Sequence, residues 1–157
     1  MHKININELL SENSFLVDFK ASSKKHAFDE LSKLAEKNLN ISSRTILENL
    51  TKREKLGSTA VGNGIAIPHA TDQILSKPKG FVAILSNGLD FEANDDQLVD
   101  IIFLLLAPNK NRSENLQALA SVSRLLKDKE LITKLRGCKS TESALAVISE
   151  SIRYKAA

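Results

Sequence analysis

The sequence contains very few aromatic residues: six Phe, one Tyr and no Trp among 157 residues. Proteins that bind single-stranded nucleic acid stack bases on aromatic rings, and deep sugar-binding clefts are often lined by them. This shortage argues against both kinds of site. The net charge of +3 is also mild, with Lys and Arg spread along the chain, so we expect no nucleic-acid partner.

Cysteine and long apolar runs are scarce as well. The single Cys138 excludes an intrachain disulfide and fits a reducing cytosol. The longest apolar run, Ile101–Ala107, has seven residues, whereas a membrane-spanning helix needs about 20. The N-terminus lacks the apolar segment of a secretory signal. We therefore expect a cytoplasmic protein without membrane insertion.

Strand and helix patterns alternate along the chain. Alternating or continuous apolar residues predict strands at Ser14–Phe19, Ile65–Ile67, Gly80–Leu85 and Val99–Leu106. Apolar residues at helical spacing predict helices at about 23–38, 43–56, 113–127, 129–135 and 141–152. Between two strand patterns, Asn87-Gly88 predicts a two-residue hairpin turn, with Leu89–Phe91 pairing back antiparallel. We expect the tail Arg153–Ala157 to be frayed.

These patterns predict an α/β protein with one domain over residues 1–157 and an ordered core at about 6–152. The predicted sheet is mixed, because the hairpin pairs antiparallel. Helices flank it on both faces, since the continuous apolar run 101–106 indicates an interior strand covered on both sides.

The segment 53–69, R-E-K-L-G-S-T-A-V-G-N-G-I-A-I-P-H, is the most informative part of the chain. Pro68 restricts Ile67 to extended geometry, so a strand is expected to deliver His69 at its end. Three glycines upstream can adopt positive φ and let backbone N–H groups converge on one point: Gly57, Gly62 and Gly64. A histidine held beside converging donors is what attack on a phosphoryl group requires.

Side chains in the same segment supply further donors. The Arg53 guanidinium suits phosphate, and Ser58 and Thr59 carry hydroxyl groups. Each has a structural alternative. Arg53 falls in the last turn of a predicted helix, where the dipole favours a cation, and the two hydroxyls could cap a turn.

Other phosphate and metal motifs do not fit this segment. The Walker A spacing is absent, and Ile67 occupies the place of the third glycine of a dinucleotide-binding motif. His69 has no His or Cys at the positions three or four residues away, and Asp72 alone makes a poor metal site. We expect no metal and no cofactor.

The run from Thr51 to His69 resembles the phosphorylation-site loop of the enzyme IIA components of the bacterial phosphotransferase system, in the fructose–mannitol superfamily. It is most similar to the nitrogen-regulatory branch. The resemblance extends to S-K-K-H-A at residues 23–27, L-D-F at Leu89–Phe91 and V-D-I-I-F-L-L-L-A-P at Val99–Pro108. It implies that His69 accepts a phosphoryl group from a phosphocarrier protein of the HPr type, with Arg53 near the phosphate.

The chain departs from this family at one place. Many relatives carry a second histidine soon after the A-P turn, where this chain has Asn115, and Gln117 follows where some have another. Asn can donate a hydrogen bond to a phosphoryl oxygen but carries no charge. Asn115 is therefore a candidate phosphate donor, with solvation of the helix end as its alternative role.

The resemblance implies a phosphotransferase component that is regulatory rather than metabolic, with transporters or sensor kinases as targets. One alternative is a sugar-transport enzyme IIA that passes phosphate to an enzyme IIB. Another is a regulatory binding module that works without phosphorylation. A donor protein needs an apolar surface around the histidine. Ile65, Ile67, Leu116 and Leu119 are candidates for it, with core packing as their alternative role.

Overall fold

The computed structural model describes residues 5–156. Its helices are α1 (Ile6–Leu9), α2 (Lys24–Leu39), α3 (Ser43–Lys55), α4 (Arg112–Leu125), α5 (Lys129–Arg136) and α6 (Thr141–Ala156), with a 3-10 turn at Glu12–Ser14. Its strands are β1 (Phe15–Phe19), β2 (Ala60–Gly62), β3 (Ile65–Ala66), β4 (His69–Asp72), β5 (Lys79–Leu89) and β6 (Val99–Pro108). The predicted α/β class is confirmed.

The strands form one six-stranded mixed sheet in the order β1-β5-β6-β3-β2, with β4 also paired to β6. The pairs β5–β6 and β2–β3 are antiparallel. The pairs β1–β5, β3–β6 and β4–β6 are parallel. Consequently β3 and β4 follow one another along the same side of β6, and this arrangement fixes where His69 lies.

Strand β6 is buried on both faces, and its alternate residues separate the two halves of the core. Ile101, Phe103 and Leu105 pack with the apolar residues of α4, α5 and α6. Ile102, Leu104 and Leu106 pack with those of α2 and α3. The continuous apolar run is therefore explained by burial on both sides, and the prediction of helices on both faces is confirmed.

Polar side chains set several helix ends. Ser23 Oγ accepts a hydrogen bond from His26 N at 3.0 Å and caps α2, as predicted. Ser42 stands at the cap position of α3 but makes no side-chain cap bond. Instead Glu36 of α2 accepts from Ser43 N at 2.6 Å. This cap ties α2 to α3 across their connection, so the two helices form one layer.

The predicted hairpin at Asn87-Gly88 is wrong. Both residues lie inside β5, which continues to Leu89 and pairs antiparallel with β6. A register shift between Ile84 and Leu89 accommodates them. The ten-residue apolar strand β6 is a longer antiparallel partner than Leu89–Phe91 could be, so β5 pairs with β6.

Other boundaries also differ from the predictions. The strand at Ile65–Ile67 ends at Ala66, while β2 and β4 were not predicted. Helix α6 continues to Ala156, beyond the end predicted at residue 152. Among residues 5–156, none of the helices combines the length and apolar character needed to cross a membrane.

Candidate functional site around His69

His69 is half-buried at the start of β4, where it stands opposite Leu105 of β6. Ile67 and Pro68 interrupt the strand between β3 and β4, because proline has no N–H for the ladder. The Pro68 carbonyl still accepts a hydrogen bond from Leu105 N at 2.9 Å. The chain therefore stays on β6 through the interruption, and the histidine is delivered by the start of a strand rather than its end.

The His69 ring has a defined tautomer. Its Nδ1 lies 2.9 Å from the carbonyl oxygen of Ile67. A carbonyl oxygen can only accept, so this bond requires the proton on Nδ1. The lone pair of the neutral ring is then on Nε2, the atom available to attack an electrophile.

Arg53 lies in the last turn of α3, a helix that packs against β4. Its Nη1 donates to the Gly57 carbonyl at 2.9 Å, just beyond the helix end. This contact matches the structural role, since a cation at a helix C-terminus interacts favourably with the dipole. It uses one of the five N–H donors of the guanidinium group, so phosphate contact remains open to the others.

The two hydroxyl groups predicted to bind phosphate both have protein partners. Ser58 Oγ donates to the Phe91 carbonyl at 2.6 Å. Thr59 is buried, and its Oγ1 donates to Glu54 Oε2 at 2.7 Å. The Thr59 carbonyl accepts from Ile67 N at 3.0 Å, so this segment runs beside the residues that precede His69. The structure thus places Thr59 beside the residues that precede His69, and the hydroxyl protons of both Ser58 and Thr59 are engaged elsewhere.

The turn that contains the glycines lies beside the start of β6, whereas His69 lies towards its end. Gly62 and Gly64 have φ of 98° and 80° and flank the tight turn between β2 and β3. The Gly64 carbonyl accepts from Asp100 N at 2.9 Å, whereas His69 stands opposite Leu105. Five positions along a strand span about 16 Å. The structure therefore does not bring Gly62 and Gly64 to His69.

Side chains from other segments hold this turn in place. Asn63 N donates to Asp95 Oδ2 at 3.0 Å, and Arg136 Nη2 donates to the Asn63 carbonyl at 2.7 Å. Arg136 also forms an ion pair with Asp100, at 2.9 Å from Nε to Oδ2. Hydrogen bonds from the backbone N–H groups of Asn63 and then Gln97 hold the pKa of Asp95 below its usual value.

Asn115 lies in the first turn of α4 and secures the connection from β6. Its Nδ2 donates to the Pro108 carbonyl at 2.6 Å and to the Lys110 carbonyl at 3.2 Å. Both amide hydrogens are thus used, and the buried Oδ1 has no partner in the structure. Asn115 therefore offers an acceptor, and it would have to rotate in order to donate to phosphate.

Two groups at this site were not predicted. One is the Ile67 carbonyl, which no residue-type pattern can reveal because every residue has a carbonyl. The other is Glu54, whose side chain is only 8% exposed and binds Thr59 and Lys24. A signal for Glu54 did exist, since an acidic residue in the last turn of a helix opposes the dipole and needs a specific partner.

Comparisons with known proteins place the sequence in one family. Residues 8–151 match the family model described as phosphoenolpyruvate-dependent sugar phosphotransferase system, EIIA 2. The chain is 40% identical over 144 residues to a nitrogen regulatory protein of Bradyrhizobium diazoefficiens, covering 92% of this chain and 94% of the relative. It is 34% identical over 149 residues to one from Klebsiella oxytoca, with coverage of 94% and 92%.

A solved structure gives the same result. The crystal structure of nitrogen regulatory protein IIA-Ntr from Neisseria meningitidis superposes with a TM-score of 0.85 at 31% identity. The superposition covers 91% of this chain and 98% of that one. Sequence and fold agree over nearly the whole length, and the chain belongs to the EIIA 2 family of the phosphotransferase system, among relatives named nitrogen regulatory proteins.

Proposed function

We propose that the protein is a regulatory phosphoryl carrier that accepts a phosphoryl group on His69 Nε2 from a phosphocarrier protein. The observation that carries the proposal is the 2.9 Å contact between Nδ1 and the Ile67 carbonyl. It leaves the Nε2 lone pair available without any prior proton transfer. Family membership supports the reaction class, because the matching family model is a phosphotransferase component.

The transfer needs no general base. The Nε2 lone pair attacks phosphorus, and the P–N bond of the donor phosphohistidine breaks as its electron pair returns to the donor ring. The donor ring is protonated on its other nitrogen and leaves as neutral imidazole, and its positive charge passes to the phosphorylated ring of His69. His69 keeps the proton on Nδ1 throughout, donated to the Ile67 carbonyl. Little proton chemistry is needed, so catalysis depends on position and on stabilising the charge of the transferring group.

Arg53 is the strongest remaining candidate for that charge stabilisation. The hydroxyl protons of Ser58 and Thr59 and the amide hydrogens of Asn115 already have acceptors. Arg53 uses one N–H donor to bind the Gly57 carbonyl and lies in α3, which packs against β4. A guanidinium group with further N–H donors can bind two phosphoryl oxygens at once.

Exposed apolar side chains on neighbouring segments favour a protein donor over a small molecule. An open groove of about 850 Å³ lies between α2 and α3, but His69 is not among the residues that line it. Exposed apolar side chains occur on segments next to the site: Leu56 is 85% exposed, Ile74 63% and Leu116 56%. Ile65 and Ile67 belong to the core instead, and Leu119 is half-buried against it.

The names of the relatives support the regulatory assignment. Those with 34–40% identity quoted above are called nitrogen regulatory proteins. We accordingly propose that phosphorylation of His69 is a switch read by target proteins such as transporters or sensor kinases. Transfer to an enzyme IIB is the alternative. It would be revealed by rapid loss of the label from His69 to added enzyme IIB.

The test is phosphorylation from phosphoenolpyruvate through enzyme I and a phosphocarrier protein, followed by mapping of the phosphate. The wild-type protein should carry one acid-labile phosphoryl group on Nε2 of His69. His69→Ala should abolish the label, while His26→Ala and His2→Ala should keep it. Stoichiometric labelling of His69→Ala, or a phosphate on Nδ1, would contradict the proposal.

A second variant tests Arg53. Arg53→Lys keeps the charge but loses the planar fork, so phosphorylation should slow roughly tenfold or more, about 1.4 kcal/mol of barrier. The melting temperature should change little, because the contact with Gly57 is partly exposed. An unchanged rate would reduce Arg53 to a cation at a helix end.

A further inference from the structure

Glu54 makes the densest set of polar contacts near the site. Its Oε1 accepts from Lys24 Nζ at 3.1 Å and from Thr59 N at 3.0 Å. Its Oε2 accepts from Thr59 Oγ1 at 2.7 Å. The side chain is 8% exposed, so these bonds form in a largely desolvated place where hydrogen bonds are strong.

The hydrogen bonds continue from Thr59 to the histidine. The Thr59 carbonyl accepts from Ile67 N at 3.0 Å. The Ile67 carbonyl in turn accepts from His69 Nδ1 at 2.9 Å. Each residue along this path is bound on both sides. The orientation of the Ile67 peptide, and with it the acceptor of the imidazole proton, therefore depends on where Thr59 is held.

The position of Glu54 is costly for stability alone. A carboxylate in the last turn of a helix opposes the dipole, and a largely buried charge loses hydration. Lys24 offsets that charge, and the same ammonium group donates to the Phe91 carbonyl at 3.3 Å. A residue that breaks a local rule and binds the chain next to a reactive group is expected to serve that group.

We propose that Glu54 is a positioning residue for His69: it holds Thr59, which holds Ile67, which fixes the tautomer and orientation of the imidazole. The inference rests on the proposed function, because the reaction that it prepares is attack by His69 Nε2. Glu54 itself touches neither the imidazole nor the phosphoryl group. Its effect passes through Thr59, which precedes β2, and Ile67, which follows β3.

The test uses the full chain and two readouts. Nitrogen–proton correlation spectra of the histidine ring report the His69 tautomer without any phosphorylation. The second readout is the rate of phosphorylation by enzyme I and a phosphocarrier protein. Glu54→Gln replaces one acceptor by a donor, which leaves a Thr59 or Lys24 hydrogen without a partner. It should increase the Nε2-protonated tautomer and slow transfer by about tenfold.

Matched variants separate this effect from charge loss and from misfolding. Glu48→Gln removes a carboxylate from the same helix, but Glu48 is 58% exposed and pairs with Arg44. It should keep the wild-type tautomer and rate. Thr59→Val deletes the hydroxyl at nearly constant volume and should act like Glu54→Gln, whereas Thr59→Ser should restore wild-type behaviour. The Thr59 pair provides the test if Glu54→Gln fails to fold.

The outcomes distinguish the inference from the function on which it rests. A wild-type tautomer in both Glu54→Gln and Thr59→Val would overturn the inference, whether or not transfer is slower. If these variants shift the tautomer but the wild-type protein takes no phosphate from any donor, the proposed function fails while the positioning role of Glu54 stands. A shifted tautomer with slower transfer supports both.

Discussion

The chain contains the dipeptide Asn-Gly twice, and the two copies have different structures. Asn63-Gly64 forms the turn between β2 and β3, where the residues have φ of 58° and 80°. Asn87-Gly88 lies within β5, and Gly88 has no positive φ. The same local signal therefore produces a hairpin in one place and an extended strand with a register shift in the other.

The two glycines are needed for different reasons. A side-chain carbon on Gly64 would lie 2.6 Å from Arg136 Nη2 and would also require an L-residue at positive φ. On Gly88 it would lie 2.6 Å from Leu98 Cβ, in a backbone that any residue can adopt. The first glycine is needed for its conformational freedom, and the second for its lack of a side chain.

The largest effect is expected at the turn. Gly64→Val places a β-branched residue at φ of 80° against the Arg136–Asp100 ion pair, which should lower the free energy of unfolding by about 1–3 kcal/mol. Because the turn lies about 16 Å from His69 along β6, the phosphorylation rate of the folded protein should change little. Urea unfolding and the transfer rate test the two statements separately. Slower transfer at native stability would instead support the phosphate-binding role predicted from the sequence.

A smaller effect, which a second substitution should partly reverse, is expected at Asn87-Gly88. Gly88→Ala should lower the free energy of unfolding by about 1 kcal/mol, because the new methyl group overlaps the exposed Leu98 side chain. Adding Leu98→Gly should recover part of the loss in a double-mutant cycle. The parallel cycle of Gly64→Ala with Arg136→Ala should recover less, since positive φ remains. Equal coupling in both cycles would remove the distinction between the two glycines.

The smallest effect concerns pH. Asp95 accepts a hydrogen bond from Asn63 N, and its pKa lies below the usual 3.8. A carboxyl group with a lowered pKa stabilises the fold above about pH 3.8, and this contribution is lost as the pH falls through the folded-state pKa. Asp95→Asn should therefore lower the melting temperature slightly at pH 7, and by less at a pH below about 3.8. Asp96→Asn, at a position with φ of 57°, is the matched control. An equal deficit at both pH values would contradict this account.

Much of the fold could be predicted because the longer elements carry strong periodic signals. The burial of β6 on both faces follows from a run that is apolar nearly throughout, and α2 begins at a serine cap. Strands β2 and β4 escaped prediction because they have three and four residues and depend on pairing with neighbours. The Asn63-Gly64 turn was available as a hairpin signal, but its glycines also fitted a phosphate cradle.

The site was predictable only at the level of residue types. His69 behind Pro68 could be singled out from the sequence, but its hydrogen-bond acceptor is a main-chain carbonyl. The hydroxyls of Ser58 and Thr59 looked available because the sequence does not show that Phe91 and Glu54 bind them. Such partners come from residues up to 33 positions away, and only the folded chain brings them together.

The carbonyl that binds His69 Nδ1 has a consequence for how the protein can evolve. A side-chain acceptor can be lost through a single codon change, but every substitution at Ile67 leaves the main-chain oxygen in place. The choice between the two ring nitrogens is therefore buffered against direct mutation. Substitutions at Ile67 can change the packing around the imidazole. The tautomer of His69 stays the same, because the main-chain carbonyl that sets it is always present.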